Sequence, residues 1–393
     1  MIASHLKKAA MAAATLGVSC IYSVNTHAES TGKFYGDFRL RYESVSQDNA
    51  LEDADALTLR SRIGYKTAAL NGFSALIEAE NVTAIIDDYS FPPVGLNTGE
   101  FSVVADPDDN TEIDQALVQY TSNGFTAKLG RQVIKLDNVR FVGDVGFRQD
   151  RQTFDALSLT YAPTKAYTLT YAYLNQRNRI FADELDQDSQ DHLLNASFKL
   201  GNGKLTPYAY LLEIDDDTDN SLDTYGVSYS GKAGNFGYRA EIATQEANDT
   251  FDAEYIALQV TTKFTGVNAK LGYELLGSDG GNFGFSTPLA TLHKFNGFAD
   301  VFLATPEQGL EDIHLKLWGK VAGGNLAVTY HEFSSDESLN GFDDLGSEID
   351  IAYTQKINKH FTAGAKYADY SAGDAAFEIV DIDRFWLWLG AKF

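Results

Sequence analysis

The chain has 393 residues, with 55 Asp and Glu against 31 Lys and Arg, and a net charge of −24. That balance excludes the basic footprint that nucleic-acid binding needs. After residue 28 no run of 18 apolar residues occurs and no cysteine remains, which excludes a transmembrane helix, a disulfide framework and thiol chemistry.

Met1 to Ala28 reads as a cleaved secretory signal peptide. Lys7 and Lys8 give a basic start, Ala9 to Val24 an uncharged and mostly apolar stretch, and Thr26-His27-Ala28 a small-x-small cleavage site. Gly17-Val18-Ser19-Cys20 fits a lipidation site badly. The first strand begins a few residues later, so 29–393 is expected to be one domain, without room for an N-terminal plug of the kind active transporters carry.

From there, segment after segment alternates with period two. Phe34, Gly36, Phe38, Leu40 and Tyr42 oppose Tyr35, Asp37, Arg39 and Arg41. Leu57, Leu59, Ile63 and Tyr65 oppose Thr58, Arg60, Arg62 and Lys66. The pattern returns at 167–173, 236–245, 267–275 and 361–367. A soluble sandwich alternates too, but the connections discriminate. Short links at 68–72, 122–124, 162–166, 201–203, 231–235, 265–266, 322–324 and 357–360 carry turn residues. They take turns with long links at about 44–55, 80–111, 132–153, 175–191, 215–222, 245–252, 277–309, 332–346 and 371–382. The expected fold is an all-β, up-and-down antiparallel transmembrane barrel of about 18 strands, with 16 as the alternative. Short turns then face the periplasm and long loops the exterior, both termini are periplasmic, and tyrosines at strand ends form aromatic girdles.

The polar faces supply the candidate pore lining: Arg39, Arg41, Arg60 and Arg62, with Lys128, Arg239 and Lys270 on other strands. Closure brings Arg384 beside them. Fixed cations around a wet lumen bind carboxylate and phosphate groups; the competing reading is that they pair with Asp37, Glu78, Glu80, Glu241 and Glu274 and brace the wall. The link 132–153 contains Lys135, Arg140, Arg148 and Arg151 among apolar residues. It either folds inward and narrows the pore or extends its hairpin above the membrane. Asp215 to Asn220 has the alternating carboxylates of a calcium loop but lacks its glycine and terminal Glu, so a solvated loop is expected. No metal site and no cofactor are expected. His192, His293, His314, His331 and His360 show no ligand spacing, and no Gly-x-Ser-x-Gly elbow occurs, so the chain is not expected to be an enzyme. Asp312 with His314, or Asp191 with His192, would be the pairs for a hydrolase.

The chain ends on Phe385-Trp386-Leu387-Trp388-Leu389-Gly390-Ala391-Lys392-Phe393. Phe385, Leu387, Leu389, Ala391 and Phe393 share one face. This resembles the closing strand by which outer-membrane barrels are recognised by the barrel-assembly machinery.

Gly284 to Asp300, Phe302-Leu303-Ala304-Thr305-Pro306, and Leu129-Gly130-Arg131-Gln132 followed by 137–143 and 148–155 resemble the alginate-export family of outer-membrane barrels. The resemblance implies an 18-stranded barrel with a basic conduit for an anionic polysaccharide, mapped here onto Arg39, Arg41, Arg60, Arg62, Arg131, Arg140 and Arg148. The chain is shorter than alginate exporters and its loops are more acidic. The expected function is therefore a passive channel of the Gram-negative outer membrane for small or oligomeric anionic solutes, acidic sugars among them. A nonspecific porin, a hydrolase and an adhesive barrel are the alternatives. Expected partners are outer-membrane lipid and lipopolysaccharide, the assembly machinery through Phe393, and an anionic or saccharide solute; both homotrimer and monomer are compatible with the outward stripe.

Overall fold

A computed structural model describes residues 31–393 except 184, 217 and 219. The signal-peptide reading of 1–28, and Asp217 and Asp219 of the acidic loop, lie outside the described residues. The alternating segments form β1 (Lys33–Gln47), β2 (Ala54–Lys66), β3 (Phe73–Asp88), β4 (Asp109–Ser122), β5 (Phe125–Gln132) and β6 (Thr153–Thr164). Next come β7 (Tyr167–Asn178), β8 (Gln187–Leu200), β9 (Gly203–Leu212), β10 (Leu222–Ala233), β11 (Phe236–Ala247) and β12 (Phe251–Phe264). The last six are β13 (Val267–Leu276), β14 (Leu310–Val321), β15 (Gly324–Leu339), β16 (Phe342–Lys356), β17 (Phe361–Ser371) and β18 (Ile382–Lys392).

Each strand pairs antiparallel with the next, and β18 pairs with β1 in unbroken register from Asp37↔Lys392 to Gln47↔Ile382. The sheet therefore closes with no free edge, the condition for a β-structure to sit in hydrocarbon. Every predicted short link is a short turn. Two predicted long links are corrected: residues 332–346 and 245–252 are mostly strand, because β15 and β16 meet across Asn340 and Gly341, and β11 and β12 across 248–250. Their polar ends hide the strand signal, since a ladder projecting beyond the membrane needs no apolar face.

The faces are inverted relative to a soluble sandwich. Leu129, Ile242, Leu258, Leu271, Leu315 and Leu387 are exposed on the outside, whereas Arg41, Arg60, Arg62, Glu80, Glu241 and Asp312 are buried within. Aromatic pairs such as Phe34 with Tyr65 (4.5 Å) and Phe73 with Tyr120 (4.7 Å) ring the short-turn end. Tyr42, Tyr273 and Tyr367 lie nearer the loop end, each bonded through its hydroxyl to a carboxylate. Where an inward ring needs room, the facing strand carries glycine. A Cβ on Gly364 would lie 2.1 Å from the Trp388 ring, its cross-strand neighbour.

The lumen is not simply wet. Phe141, Tyr208, Tyr210, Tyr255 and Phe285 are buried together inside the wall, with Phe141 5.2 Å from both Tyr208 and Tyr255. This apolar centre exists because two long connections, 133–152 and 277–309, turn into the barrel.

Candidate functional site

The two inserted connections dock on each other. Gly143 donates to the Leu289 carbonyl (2.8 Å), Thr291 to that of Val139 (3.0 Å), and Lys294 Nζ to that of Asn138 (2.7 Å). Gln152 Nε2 spans the carbonyls of Gly143 and Leu289. The first connection penetrates far, for Asp137 accepts from Lys204 near the short-turn end of β9 (3.3 Å). A third connection, 89–108, adds Asp106, which accepts from Arg41 and from the Gln149 amide. Of the two readings of 132–153, the structure shows the inward one.

The arginines hold these connections in place. Arg140 is buried and donates to Glu274 on β13 (2.7 Å), Thr287 (3.2 Å) and Asn296 (3.1 Å). Arg148 pairs with Asp300 at 2.5 Å. On the wall, Arg41 pairs with Asp106 and with Glu43 (3.3 Å). Arg60 pairs with Asp37 (2.7 Å), Arg62 with Glu80, Arg239 with Glu241 (2.7 Å), and Arg384 with Glu43 (3.5 Å). A guanidinium taken out of water needs a counter-charge beside it, and these carboxylates supply it. Arg39 differs: it donates to Gln149 Oε1 (2.8 Å) and the Phe147 carbonyl (2.7 Å), and lies within 4 Å of no carboxylate among the described residues.

Arg131 does not line the lumen. It is two residues from the exposed Leu129, and its partner Asp155 (2.8 Å) is two from the exposed Leu157, so the pair sits on the outer wall. The family motif, rather than the alternation, had placed it in the conduit.

Lys128 and Lys270 are inward and form no ion pair among the described residues, and the same holds for Lys294, Lys316 and Lys366. Lys270 and Lys316 are cross-strand neighbours on β13 and β14. With Lys294 they line a cavity of about 190 Å³ beneath the inserted loops, walled also by Glu274, Asp312, His314, His331 and Asp350. Along the barrel axis charge is polarised. Lys33, Lys66, Lys165, Lys199, Lys232, Lys263, Lys320, Lys356 and Lys359 all lie at the short-turn end, while Asp48, Asp87, Asp88, Asp108, Asp215 and Asp279 crowd the loop end.

One loop contact is poised to respond to acid. Lys366 Nζ stands 2.9 Å from His293 Nε2, and His293 Nδ1 2.7 Å from Asp300 Oδ1. An ammonium can only donate, so Nε2 is the bare nitrogen and Nδ1–H donates to Asp300. Burial holds the His293 imidazole well below its usual value. Burial alone would raise Asp300, but Arg148 and His293 hold its carboxyl well below the usual carboxylate range. An undocked loop would take up a proton on His293 near about pH 6.5 that the docked loop refuses. Docking is therefore strongest above that pH and weakens as pH falls; the Asp300 contribution persists until below about pH 4. Acidifying from about pH 7.5 to about pH 5 should raise the open-channel noise of single barrels in planar bilayers, and His293→Gln should flatten that response.

Residues 30–279 match the family described as Alginate export. The chain belongs to the alginate export family. No curated protein is significantly similar to it in sequence. Among solved structures, OccAB4 of Acinetobacter baumannii superposes with a TM-score of 0.73 at 13% identity, covering 94% of this chain and 100% of that one. OccK9 (OpdG) of Pseudomonas aeruginosa gives 0.71 at 14% identity, with 92% and 98% covered. These likenesses concern the fold. With the family match, they make this alginate export family barrel an outer-membrane channel, the architecture expected from the alternation.

Sequence reasoning missed the insertion of 277–309, although the stretch from Thr287 to Pro306 is a specific part of the family resemblance. Its signal was present: Phe283, Phe285, Phe295, Phe298 and Phe302 are too many rings for a solvated loop. Sequence reasoning also gave the selectivity role to the arginines together with Lys128 and Lys270, and passed over Lys294.

Proposed function

We propose that this chain is a passive, loop-constricted channel of the Gram-negative outer membrane that favours small anionic solutes, acidic sugars included. The observation that carries this reading is the division of labour among its cations. The inward arginines other than Arg39 are neutralised by carboxylates and act as braces. Lys270, Lys294 and Lys316 form no ion pair among the described residues and border the cavity beneath the inserted loops, and Lys128 on β5 is likewise unpaired. Unpaired ammonium groups in a narrow, partly desolvated conduit raise the local concentration of anions and lower that of cations. The acidic loop end works against polyanions, whose many charges multiply the repulsion within a Debye length of about 8 Å. This supports small anions over a long polyuronate.

The short-turn end is assigned to the periplasm. Phe393, exposed beside His360 and Phe361 on the outer wall, supports recognition by the barrel-assembly machinery. Solute moves down its own gradient, so the function needs neither a cofactor nor catalysis.

The test is the zero-current potential of the full barrel in planar bilayers under a potassium chloride gradient. Wild type should prefer chloride. Lys270→Glu with Lys316→Glu should invert the sign, while Arg60→Gln should move it little. A cation preference in wild type would refute the anion assignment.

A further inference from the structure

The wall of the same cavity carries a cluster that channel selectivity does not require. Asp312 and His314 are two apart on β14 and so share its inward face, and His331 on β15 stands directly opposite His314 in the ladder. His331 Nδ1 is 2.9 Å from Asp312 Oδ1, and His314 Nδ1 is 3.4 Å from Asp312 Oδ2. One donor atom from each of the three lies within 4.8 Å of the other two. Asp350 on β16 approaches from the far side, its Oδ2 3.7 Å from His331 Nε2.

His331 could be explained as a bridge between two carboxylates. His314 cannot. It is only 7% exposed, yet neither of its ring nitrogens has a hydrogen-bond partner. Its ring is seated over Gly272 of β13, where a Cβ would lie 2.2 Å from Nε2, so the backbone opposite has been cleared for it. A buried imidazole normally satisfies at least one nitrogen; one with none, aimed at a carboxylate and a second imidazole, is arranged as a ligand.

We propose that Asp312, His314 and His331 bind a divalent transition-metal ion of the zinc class, with Asp350 oriented to steady His331 through its far nitrogen. Metal–nitrogen and metal–oxygen bonds of about 2.0–2.2 Å place neighbouring ligand atoms in a tetrahedron about 3.4 Å apart. To the one oxygen Asp312 Oδ2, the Nδ1 atoms of His331 and His314 stand at 3.1 and 3.4 Å, close to that. Two imidazoles select against calcium and magnesium, which take oxygen. Three protein ligands leave a position open toward the cavity, where a solute carboxylate could coordinate. The ion's two charges would offset Asp312 and Asp350 and add to Lys270 and Lys316. Binding of the metal stands apart from the proposed channel selectivity; its effect on current rests on that reading.

The test uses the refolded full-length barrel. Zinc titrated calorimetrically should bind at about one equivalent, and cobalt(II) should give the intense visible bands of a four- or five-coordinate site. His314→Ala and His331→Ala should each weaken zinc by roughly two orders of magnitude while heat-modifiable mobility stays unchanged. Wild-type binding that is absent, or that His314→Ala leaves intact as adventitious binding by the acidic loops would be, overturns the site. In bilayers zinc should change the wild-type current, shifting its zero-current potential further toward chloride, and leave His314→Ala unchanged. Stoichiometric binding without any change in current would uphold the site and refute its place in the solute's path.

Discussion

Replacing residues 138–148 with a short Gly-Ser linker should raise single-channel conductance several-fold. The excised segment holds Phe141, the centre of the aromatic cluster, and Arg140 and Arg148, which tie the second inserted connection to the first. Without it, 277–309 loses its hydrogen-bonded partner and the lumen is left with water where packed side chains stood. The barrel itself should survive, because β5 and β6 remain paired up to Gln132↔Phe154 and a hairpin needs only a few residues to close. Wall arginines that lose loop partners become hydrated rather than stranded, since the space they face fills with water. Planar-bilayer conductance is the measurement, with far-UV circular dichroism and heat-modifiable mobility as controls for folding. A variant that folds and conducts no better than wild type would show that this connection is not the constriction.

Arg140→Ala should loosen the loops without unfolding the wall. The side chain satisfies Glu274 and Asn296 and stacks on Phe295, its guanidinium carbon 4.9 Å from the ring centre. Removing one member of a buried pair leaves the other uncompensated, at a cost of about 3–5 kcal/mol, and here the structure can relieve it by undocking. Amides of 133–152 and 277–309 should lose hydrogen-exchange protection while strand amides keep theirs. Arg140→Met combined with Glu274→Gln removes both charges and should recover much of the protection, because the penalty comes from the orphaned carboxylate. Equal loss in the single and double variants would mean that packing, not charge, seats the loops.

The wall was legible in the sequence because its rules are local. Leu57, Leu59, Ile63 and Tyr65 opposite Arg60 and Arg62 announce two faces within one strand, and Gly, Asn or Pro at 68–72 or 162–166 announces a turn. The contents of the lumen were not legible, because they depend on partners far apart in the chain. Arg140 meets Glu274 across 134 residues, and Arg148 meets Asp300 across 152. Phe141, Val142 and Phe147 near Arg140 mark a packed loop, but nothing near it names the distant segment it packs on. Whether an inward cation is a brace or a solute contact is likewise decided by its counter-ion: Arg62 finds Glu80, while Lys270 finds Lys316. His314 and His331 show no ligand spacing along the chain because their adjacency runs across the ladder.

The lysine-rich rim at one end and the carboxylates at the other give the barrel a permanent electrical direction. An unpowered conduit cannot turn that direction into pumping, since net flow follows the solute's own gradient. What the polarity changes is waiting time. An anion arriving from the acidic mouth meets its barrier on admission, whereas one arriving from the basic rim is first gathered and then held back at exit, so the two crossings have different slow steps but the same equilibrium.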